Sequence, residues 1–216
     1  MSSTSKLPRV GTTIFTEMSA MAQAHGALNM SQGFPDFQPP QPLQQAVVAA
    51  MAEGRNQYAP MTGDARLREW IAEDAEQRSG VRYHPETEVT VGAGASSLIF
   101  ATVQALIHPG DDVMVLTPCY DLYEPAVELA GGRLVCVPLQ AETHRLDLPA
   151  MKAAWTESMR MVIVNVPNNP TGSTWSREDL RGLADLVEGT DALVVSDEVY
   201  GPMHHDGREV LSVTHE

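Results

Sequence analysis

Residues 192–201 read ALVVSDEVYG. The apolar run ALVV at the start is typical of a strand buried on both faces of a parallel sheet. Asp197 comes where that strand is expected to end, and Tyr200 follows shortly before Gly201 interrupts the chain. Ligands of open parallel α/β sheets bind beyond the carboxyl ends of the strands, where a buried carboxylate needs a cation or a hydrogen-bond donor. The stretch therefore predicts either a ligand site or a simple turn capped by Asp197.

Predicted strands and helices alternate along the chain before this stretch. The expected strands are Val89–Val91, Val113–Leu116, Leu134–Leu139, Met161–Val166 and Ala192–Ser196. The expected helices are Phe15–His25, Leu43–Glu53, one between Asp64 and Gly80, Leu98–His108, Tyr120–Ala130, Leu148–Ser158 and one between Ser176 and Gly189. This alternation predicts an α/β domain with a largely parallel sheet and right-handed crossovers.

The composition limits the classes of partner and compartment. The 216 residues carry a net charge of −14, which argues against binding the phosphate backbone of nucleic acids. No apolar run approaches the length of a membrane span, and residues 1–11 are too polar for a signal peptide. Cys119 and Cys136 lack metal-ligand spacing and are expected to be reduced thiols. We therefore expect a cytoplasmic protein that binds neither nucleic acid nor a membrane.

The segment Gly92–Ser97, GAGASS, joins a predicted strand to a predicted helix. Glycines let a ligand approach the backbone, and the N–H groups at a helix N-terminus attract anions. A dinucleotide-binding fingerprint is disfavoured, because Ser97 occupies its third glycine position and the next strand ends in Thr117-Pro118 rather than in an acid. An anion-binding turn and a simple tight turn both remain compatible with the segment.

Three further groups follow predicted strands or the central stretch. Asn169 lies in a rigid Asn-Pro-Thr-Gly turn, from which its amide could point into a cleft at the strand ends. Tyr120 could stack on a planar ligand, although ordinary packing explains a lone tyrosine equally well. The run His204-His205-Asp206 is interpreted as a solvated loop, because adjacent histidines without a third ligand rarely bind a metal.

Taken together, an anion-binding turn, an aromatic ring, an amide, a carboxylate and a phenol suit a flat, phosphorylated heteroaromatic ring. The chain resembles the pyridoxal-phosphate-dependent aminotransferases of class I/II, which have fold type I. The motifs that carry the resemblance are Asn169-Pro170-Thr171-Gly172, Ser196-Asp197-Glu198-Val199-Tyr200, Gly94-Ala95-Ser96 and Pro118-Cys119-Tyr120. Within this family, residues 6–8, 11–16, 31–37 and 56–63 resemble methionine aminotransferases, whose close relatives include kynurenine aminotransferases.

The resemblance implies pyridoxal 5'-phosphate as cofactor and a role for each matched residue. Asp197 would pair with the pyridine nitrogen, and Tyr120 would stack on the ring. The other cofactor contacts would be Asn169 and Tyr200 to the phenolate oxygen, Gly94, Ala95 and Ser96 to the phosphate, and Tyr58 to the phosphate of the neighbouring subunit in a homodimer. Gly33 would meet the substrate carboxylate through its backbone, and Phe15 would line the side-chain pocket.

The implied fold is the three-layer α/β large domain of fold type I, with a mostly parallel sheet that is incomplete at the C-terminus. Residues 1–36 would form an N-terminal arm and residues 37–216 part of the cofactor-binding large domain, with the C-terminal small domain absent. Because the family's later strands lie between its first and fifth strands, their absence would leave unpaired edges.

The implied reaction is transamination of methionine or an aromatic amino acid to its 2-oxo acid. No catalytic residue is assigned, because the family's Schiff-base lysine lies beyond residue 216. The only lysines, Lys6 and Lys152, occur outside the matching motif. The alternatives are a pyridoxal-phosphate-dependent β-lyase acting on cysteine conjugates, and an inactive truncated fragment or pseudo-enzyme subunit.

Overall fold

The computed structural model describes residues 5–8, 10–33, 35–203, 205, 207 and 211–215. The chain divides into two compact units, Met1–Pro60 and Met61–Glu216. The first unit contains the predicted arm and extends beyond it.

The described part of the first unit contains two helices. Helix α1 spans Ile14–Ala24, and the Thr13 side chain caps it by accepting a hydrogen bond from the Thr16 N–H. Helix α2 spans Gln41–Ala52 and has Pro42 in its first turn. A proline is tolerated there because the backbone N–H groups of the first turn have no partner within the helix. No described residue of either helix is buried.

A four-stranded parallel sheet forms the centre of the second unit. Its strands are β1 (Asp112–Thr117), β2 (Arg133–Pro138), β3 (Met159–Asn165) and β4 (Leu193–Asp197), in the spatial order β2-β1-β3-β4. All three strand pairs are parallel, which confirms the predicted sheet type. The register pairs Asn165 with Asp197, so β3 and β4 end side by side.

Among the described residues of the second unit, five α-helices and a short 3₁₀ helix accompany the sheet. They are α3 (Ala65–Ser79), α4 (Ala95–Leu106), α5 (Tyr123–Ala130), α6 (Leu148–Ala153), α7 (Arg177–Val187) and the 3₁₀ helix Val213–His215. The predicted caps are present: Asp64 accepts hydrogen bonds at the start of α3, and Ser176 forms a capping box with Asp179 at the start of α7. Gly80 ends α3 in the left-handed conformation, with a φ of 73° that favours glycine.

The core consists of two apolar clusters on opposite faces of the sheet. Met114 and Val162 belong to the cluster that contains buried residues of α6 and α7. Their strand neighbours Val113 and Met161 belong to the cluster that contains buried residues of α4 and α5. Successive side chains of a strand point to opposite faces, so the sheet lies between two helical layers. This arrangement confirms the predicted three-layer α/β fold.

Four sequence predictions about secondary structure were wrong. Val89–Val91 is not a strand, because no described strand pairs with it. Helix α5 begins at Tyr123 rather than Tyr120, which places Pro125 in the first turn, where a proline is tolerated. Helix α6 ends at Ala153, because the chain turns there and the Thr156 hydroxyl hydrogen-bonds to Asp112.

The fourth concerns β4, whose apolar run predicts burial on both faces. The strand lies at the edge of the sheet, and Leu193 is 45% exposed. Buried strands such as β1 have neighbours on both sides, whereas β4 has a single described neighbour.

Among the described residues, no helix is both long and apolar enough to cross a membrane.

Candidate active site

The carboxyl ends of β1, β3 and β4 and the start of α4 surround one cleft in the second unit. The cleft is lined by Ala95, Ser96, Ile99, Tyr120, Asn165, Asn169, Asp197, Val199 and Tyr200. Six of the sequence-predicted residues, Ala95, Ser96, Tyr120, Asn169, Asp197 and Tyr200, are in this list. The cavity has a volume of about 160 Å³. A cavity of about 150 Å³ accommodates a benzene ring, so the cleft has room for one aromatic ring.

Asp197 is the acidic group of the cleft. It is the last residue of β4 and only 8% exposed. Its Oδ2 accepts a hydrogen bond of 2.8 Å from the Tyr123 hydroxyl, and its Oδ1 accepts one of 3.3 Å from the Val199 N–H. A carboxylate in this position can receive a further donor from a ligand in the cleft.

Tyr123 is the residue that most constrains Asp197. It begins α5 and is 1% exposed. Burial, followed by the negative charge of Asp197, raises the pKa of the Tyr123 phenol far above its usual range. The phenol therefore remains a hydrogen-bond donor throughout the neutral pH range.

Tyr120 supplies the aromatic surface of the cleft. It is half-buried in the segment that follows β1, and its ring meets that of Tyr123 edge to face, with centroids 6.0 Å apart. Such an edge-to-face contact stabilises both rings and fixes the orientation of Tyr120.

Burial raises the pKa of the adjacent Cys119 thiol to about 11, so this cysteine is not an activated nucleophile.

Two amides and a phenol form the polar side of the cleft. The Asn169 Nδ2 lies 3.5 Å from the Tyr200 hydroxyl. The Asn169 N–H donates to the Asn165 Oδ1 at 2.6 Å, and the Asn165 Nδ2 donates to the Asp197 carbonyl at 2.9 Å. Asn169 and Tyr200 are thus near enough to contact the same ligand atom.

The start of α4 forms another side of the cleft, through Ala95 and Ser96. Gly94 is the N-cap and has a φ of 90°, a conformation that side chains rarely adopt. Because no side chain caps the helix, the N–H groups of its first turn are available to an anion. The Ser96 hydroxyl can add a donor there. Gly94 itself adjoins the cleft in sequence but does not line it.

Three further predicted site residues belong to the first unit. They are Phe15, which is half-buried, and Gly33 and Tyr58, which are exposed. Of the two lysines, Lys6 belongs to the first unit, and Lys152 is exposed on α6 of the second unit and does not line the cleft.

Sequence reasoning missed Asn165 and Tyr123. An asparagine in the otherwise apolar strand MVIVN was a usable signal, because a buried amide requires partners. Tyr123 gave no comparable signal, since its partner Asp197 lies 74 residues away in sequence.

Other candidate sites receive less support. Of His204-His205-Asp206, only His205 lies among the described residues, and no described group of three His, Cys, Asp or Glu residues could hold a metal ion. A larger cavity of about 480 Å³ is lined in part by Trp70, Tyr83 and His215. It contains none of the predicted cofactor residues.

Comparison with known proteins identifies the family. Residues 26–214 match the family model for aminotransferase class I and II, and the chain belongs to this family. The matched range includes the polar and aromatic residues of the cleft, which are Tyr120, Asn165, Asn169, Asp197 and Tyr200.

Among individual relatives, the chain is 45% identical to a methionine aminotransferase of Escherichia coli (strain K12) over 91% of this chain and 51% of that protein. It is 43% identical to a probable N-succinyldiaminopimelate aminotransferase of Mycobacterium tuberculosis, over 91% and 50% of the two chains. The crystal structure of YbdL from Escherichia coli, identified as having a methionine aminotransferase function, superimposes with a TM-score of 0.96. That match has 42% identity and covers 100% of this chain and 56% of YbdL. The chain thus spans about half the length of the relatives it matches.

Proposed function

We propose that the full-length protein containing this chain is a pyridoxal 5'-phosphate-dependent aminotransferase that converts methionine or an aromatic amino acid to its 2-oxo acid. One observation carries the proposal: a carboxylate, an aromatic ring, an amide and a phenol from separate segments meet around a cleft of ring size. The 45% identity to a methionine aminotransferase supports the choice of substrate.

The donor set of the cleft fits this cofactor. Asp197 offers an anionic oxygen to a protonated ring nitrogen, and Tyr120 offers an aromatic face. Asn169 and Tyr200 offer two donors to a ring oxygen, and the start of α4 with Ser96 offers donors to a phosphate. The ring nitrogen, the ring oxygen and the phosphate each therefore have a complementary partner in this chain.

When bound, the cofactor supplies the electron sink that makes the substrate Cα proton acidic. The chain's own residues bind and orient the reactants. Asp197 holds a proton on the ring nitrogen through its charge, and Tyr120 restricts the tilt of the ring. Asn169 and Tyr200 hydrogen-bond the ring oxygen.

We further propose that residues 1–36 form an arm, that residues 37–216 form part of the large domain, and that Gly33 and Phe15 bind the substrate. The lysine that carries the cofactor is expected in the half of the relatives' length that this chain does not cover. Residues 1–216 alone are then expected to be inactive.

Transamination can be tested by supplying the full-length protein with methionine and a 2-oxo acid and measuring both products. We expect kcat/KM for methionine and phenylalanine to exceed that for aspartate, because Tyr120 gives the cleft an aromatic surface and the resemblance implies that Phe15 lines an apolar side-chain pocket. An apolar pocket discriminates by only about 10–200-fold for each methylene of difference, so the preference among apolar amino acids should be broad. A preference for aspartate would contradict the assigned substrate class, and activity of residues 1–216 alone would contradict the assigned position of the lysine.

The same preparation distinguishes the β-lyase alternative. A β-lyase releases pyruvate, ammonia and a thiol from a cysteine conjugate without consuming a 2-oxo acid. An aminotransferase requires the 2-oxo acid and forms one molecule of a new amino acid for each molecule of 2-oxo acid that it consumes. Product analysis with and without the 2-oxo acid therefore separates the two reactions.

The proposed homodimer depends on Tyr58, which is fully exposed in the first unit. Tyr58→Phe removes the hydroxyl that would reach the phosphate of the neighbouring subunit. We expect its affinity for the cofactor to fall about tenfold, the value of one hydrogen bond to a charged group. Tyr83→Phe, which loses a hydroxyl outside the cleft, is the matched control. Sedimentation that finds the active wild-type protein to be a monomer would exclude this arrangement.

A further inference from the structure

The buried side chain of Asn165 connects two of the proposed ring contacts. It is the last residue of β3, lines the cleft and is 3% exposed. Its Oδ1 accepts from the Asn169 N–H at 2.6 Å, and its Nδ2 donates to the Asp197 carbonyl at 2.9 Å. The Asn165 amide therefore contacts the backbone of Asn169, which is proposed to bind the ring oxygen. It also contacts the backbone of Asp197, which is proposed to bind the ring nitrogen.

These two hydrogen bonds require an amide. The Asn169 N–H can only donate and the Asp197 carbonyl can only accept, so the partners fix which end of the Asn165 amide faces each of them. A carboxylate of the same shape would retain the acceptor but would place a negative oxygen against the Asp197 carbonyl. Leucine would retain the volume but provide neither group.

A backbone hydrogen bond also joins the ends of β3 and β4, in which the Val166 N–H donates to the same Asp197 carbonyl at 3.1 Å. That backbone bond holds the strands together but does not reach the Asn169 turn. The Asn165 side chain connects the backbone of the turn to the end of β4, in addition to the 3.5 Å contact between the Asn169 Nδ2 and the Tyr200 hydroxyl beyond β4.

We propose that Asn165 is a positioning residue that sets the spacing between Asn169 and Asp197 and thereby aligns the cofactor ring. This inference rests on the proposed function, because it concerns the same cleft. It predicts that Asn165 affects the ring contacts while leaving the phosphate contacts at the start of α4 unchanged.

Asn168 provides a matched control in the same turn. Asn168 is similarly buried, with 4% of its surface exposed. Its Oδ1 accepts hydrogen bonds from the Thr171 N–H and from the Thr171 hydroxyl. Asn168→Asp retains this acceptor, whereas Asn165→Asp loses the donor to Asp197. Both variants add one negative charge to the same segment.

The test measures three quantities on the full-length protein freed of cofactor: affinity for pyridoxal 5'-phosphate, affinity for inorganic phosphate, and circular dichroism of the bound cofactor in the visible region. For Asn165→Asp we expect the cofactor affinity to fall about tenfold and the circular dichroism band to change, with phosphate affinity unchanged. Asn168→Asp should match the wild type in all three. Equal behaviour of the two variants, or an equal loss of phosphate affinity, would overturn the inference.

A measurement on the wild type covers the case in which Asn165→Asp does not fold. The hydrogen bond to Asn165 should protect the Asn169 N–H from hydrogen exchange before the cofactor is added. Exchange of the Asn169 amide at the rate of an exposed loop would also overturn the inference. If the wild type binds no pyridoxal 5'-phosphate, the proposed function fails and the inference with it. If the wild type binds but Asn165→Asp is unaffected, the inference alone fails.

Discussion

Replacing Asp197 with asparagine should reduce the rate of Cα proton removal by about 10²–10³-fold, the usual effect of removing one preorganised electrostatic group. The amide keeps the shape of the carboxylate, and its single oxygen can still accept from the Val199 N–H. Its NH₂ group then takes the place of Oδ2, and the Tyr123 hydroxyl can turn to accept a hydrogen bond from it. The amide lacks the negative charge that holds a proton on the ring nitrogen. Folding and phosphate binding should therefore persist while the chemical step slows.

The measurement is single-turnover absorbance of the cofactor in the full-length protein after mixing with methionine. Asp121→Asn is the matched control, because it removes the same charge from an exposed residue next to Tyr120. We expect the control to react at the wild-type rate. If Asp197→Asn also reacts at nearly that rate, Asp197 only closes the turn through its hydrogen bond from Val199.

The parts of the fold that depend on local pattern could be predicted from the sequence. The apolar runs of β1 and β3 and the capping residues Asp64 and Ser176 act within a few residues of the structure they specify. Val89–Val91 has the composition of a strand, but a strand also requires a partner, and no described strand pairs with it. The apolar start of β4 predicts burial, and the exposure of Leu193 accompanies a strand with a single described neighbour, in keeping with the unpaired edges that the resemblance implies.

The candidate site divides in the same way. Residues at the ends of strands, such as Asp197 and Asn169, could be selected because parallel strands bring their carboxyl ends to one edge and because the motifs resemble a known family. The residues that hold Asp197 and Asn169 in place could not be selected from the sequence. Asn165 contacts a carbonyl 32 residues away, and Tyr123 contacts a carboxylate 74 residues away. Such pairs are determined by strand order and helix packing, which local sequence does not encode.

Tyr123→Phe should weaken both the site and the fold. The variant retains the ring that packs against Tyr120 but leaves Oδ2 of the buried Asp197 without its donor. An unpaired buried acceptor costs about 1–3 kcal/mol, so we expect the free energy of unfolding to fall by that amount. Because the carboxylate is then held less firmly against the ring nitrogen, Cα proton removal should slow about tenfold.

The effect of pH on stability tests the same hydrogen bond independently of the reaction. The pKa of Tyr123 is raised in the folded protein by burial and by Asp197, whereas in the unfolded chain it is about 10. Above pH 10 the folded state therefore retains a proton that the unfolded state releases, and the free energy of unfolding falls as the pH rises. The stability contributed by the Tyr123 hydroxyl is complete below pH about 10 and is lost towards the folded pKa.

Urea unfolding of the full-length protein between about pH 9 and 11, on either side of the unfolded pKa, should give a steeper loss of stability for the wild type than for Tyr123→Phe. Tyr83→Phe is the control, because Tyr83 is only half-buried and does not contact Asp197. Its pH dependence should follow that of the wild type. Parallel curves for the wild type and Tyr123→Phe would mean that Tyr123 ionises at the same pH in the folded and unfolded states. The phenol would then not be the buried donor that fixes Asp197, and any slowing of the reaction in Tyr123→Phe would need another cause.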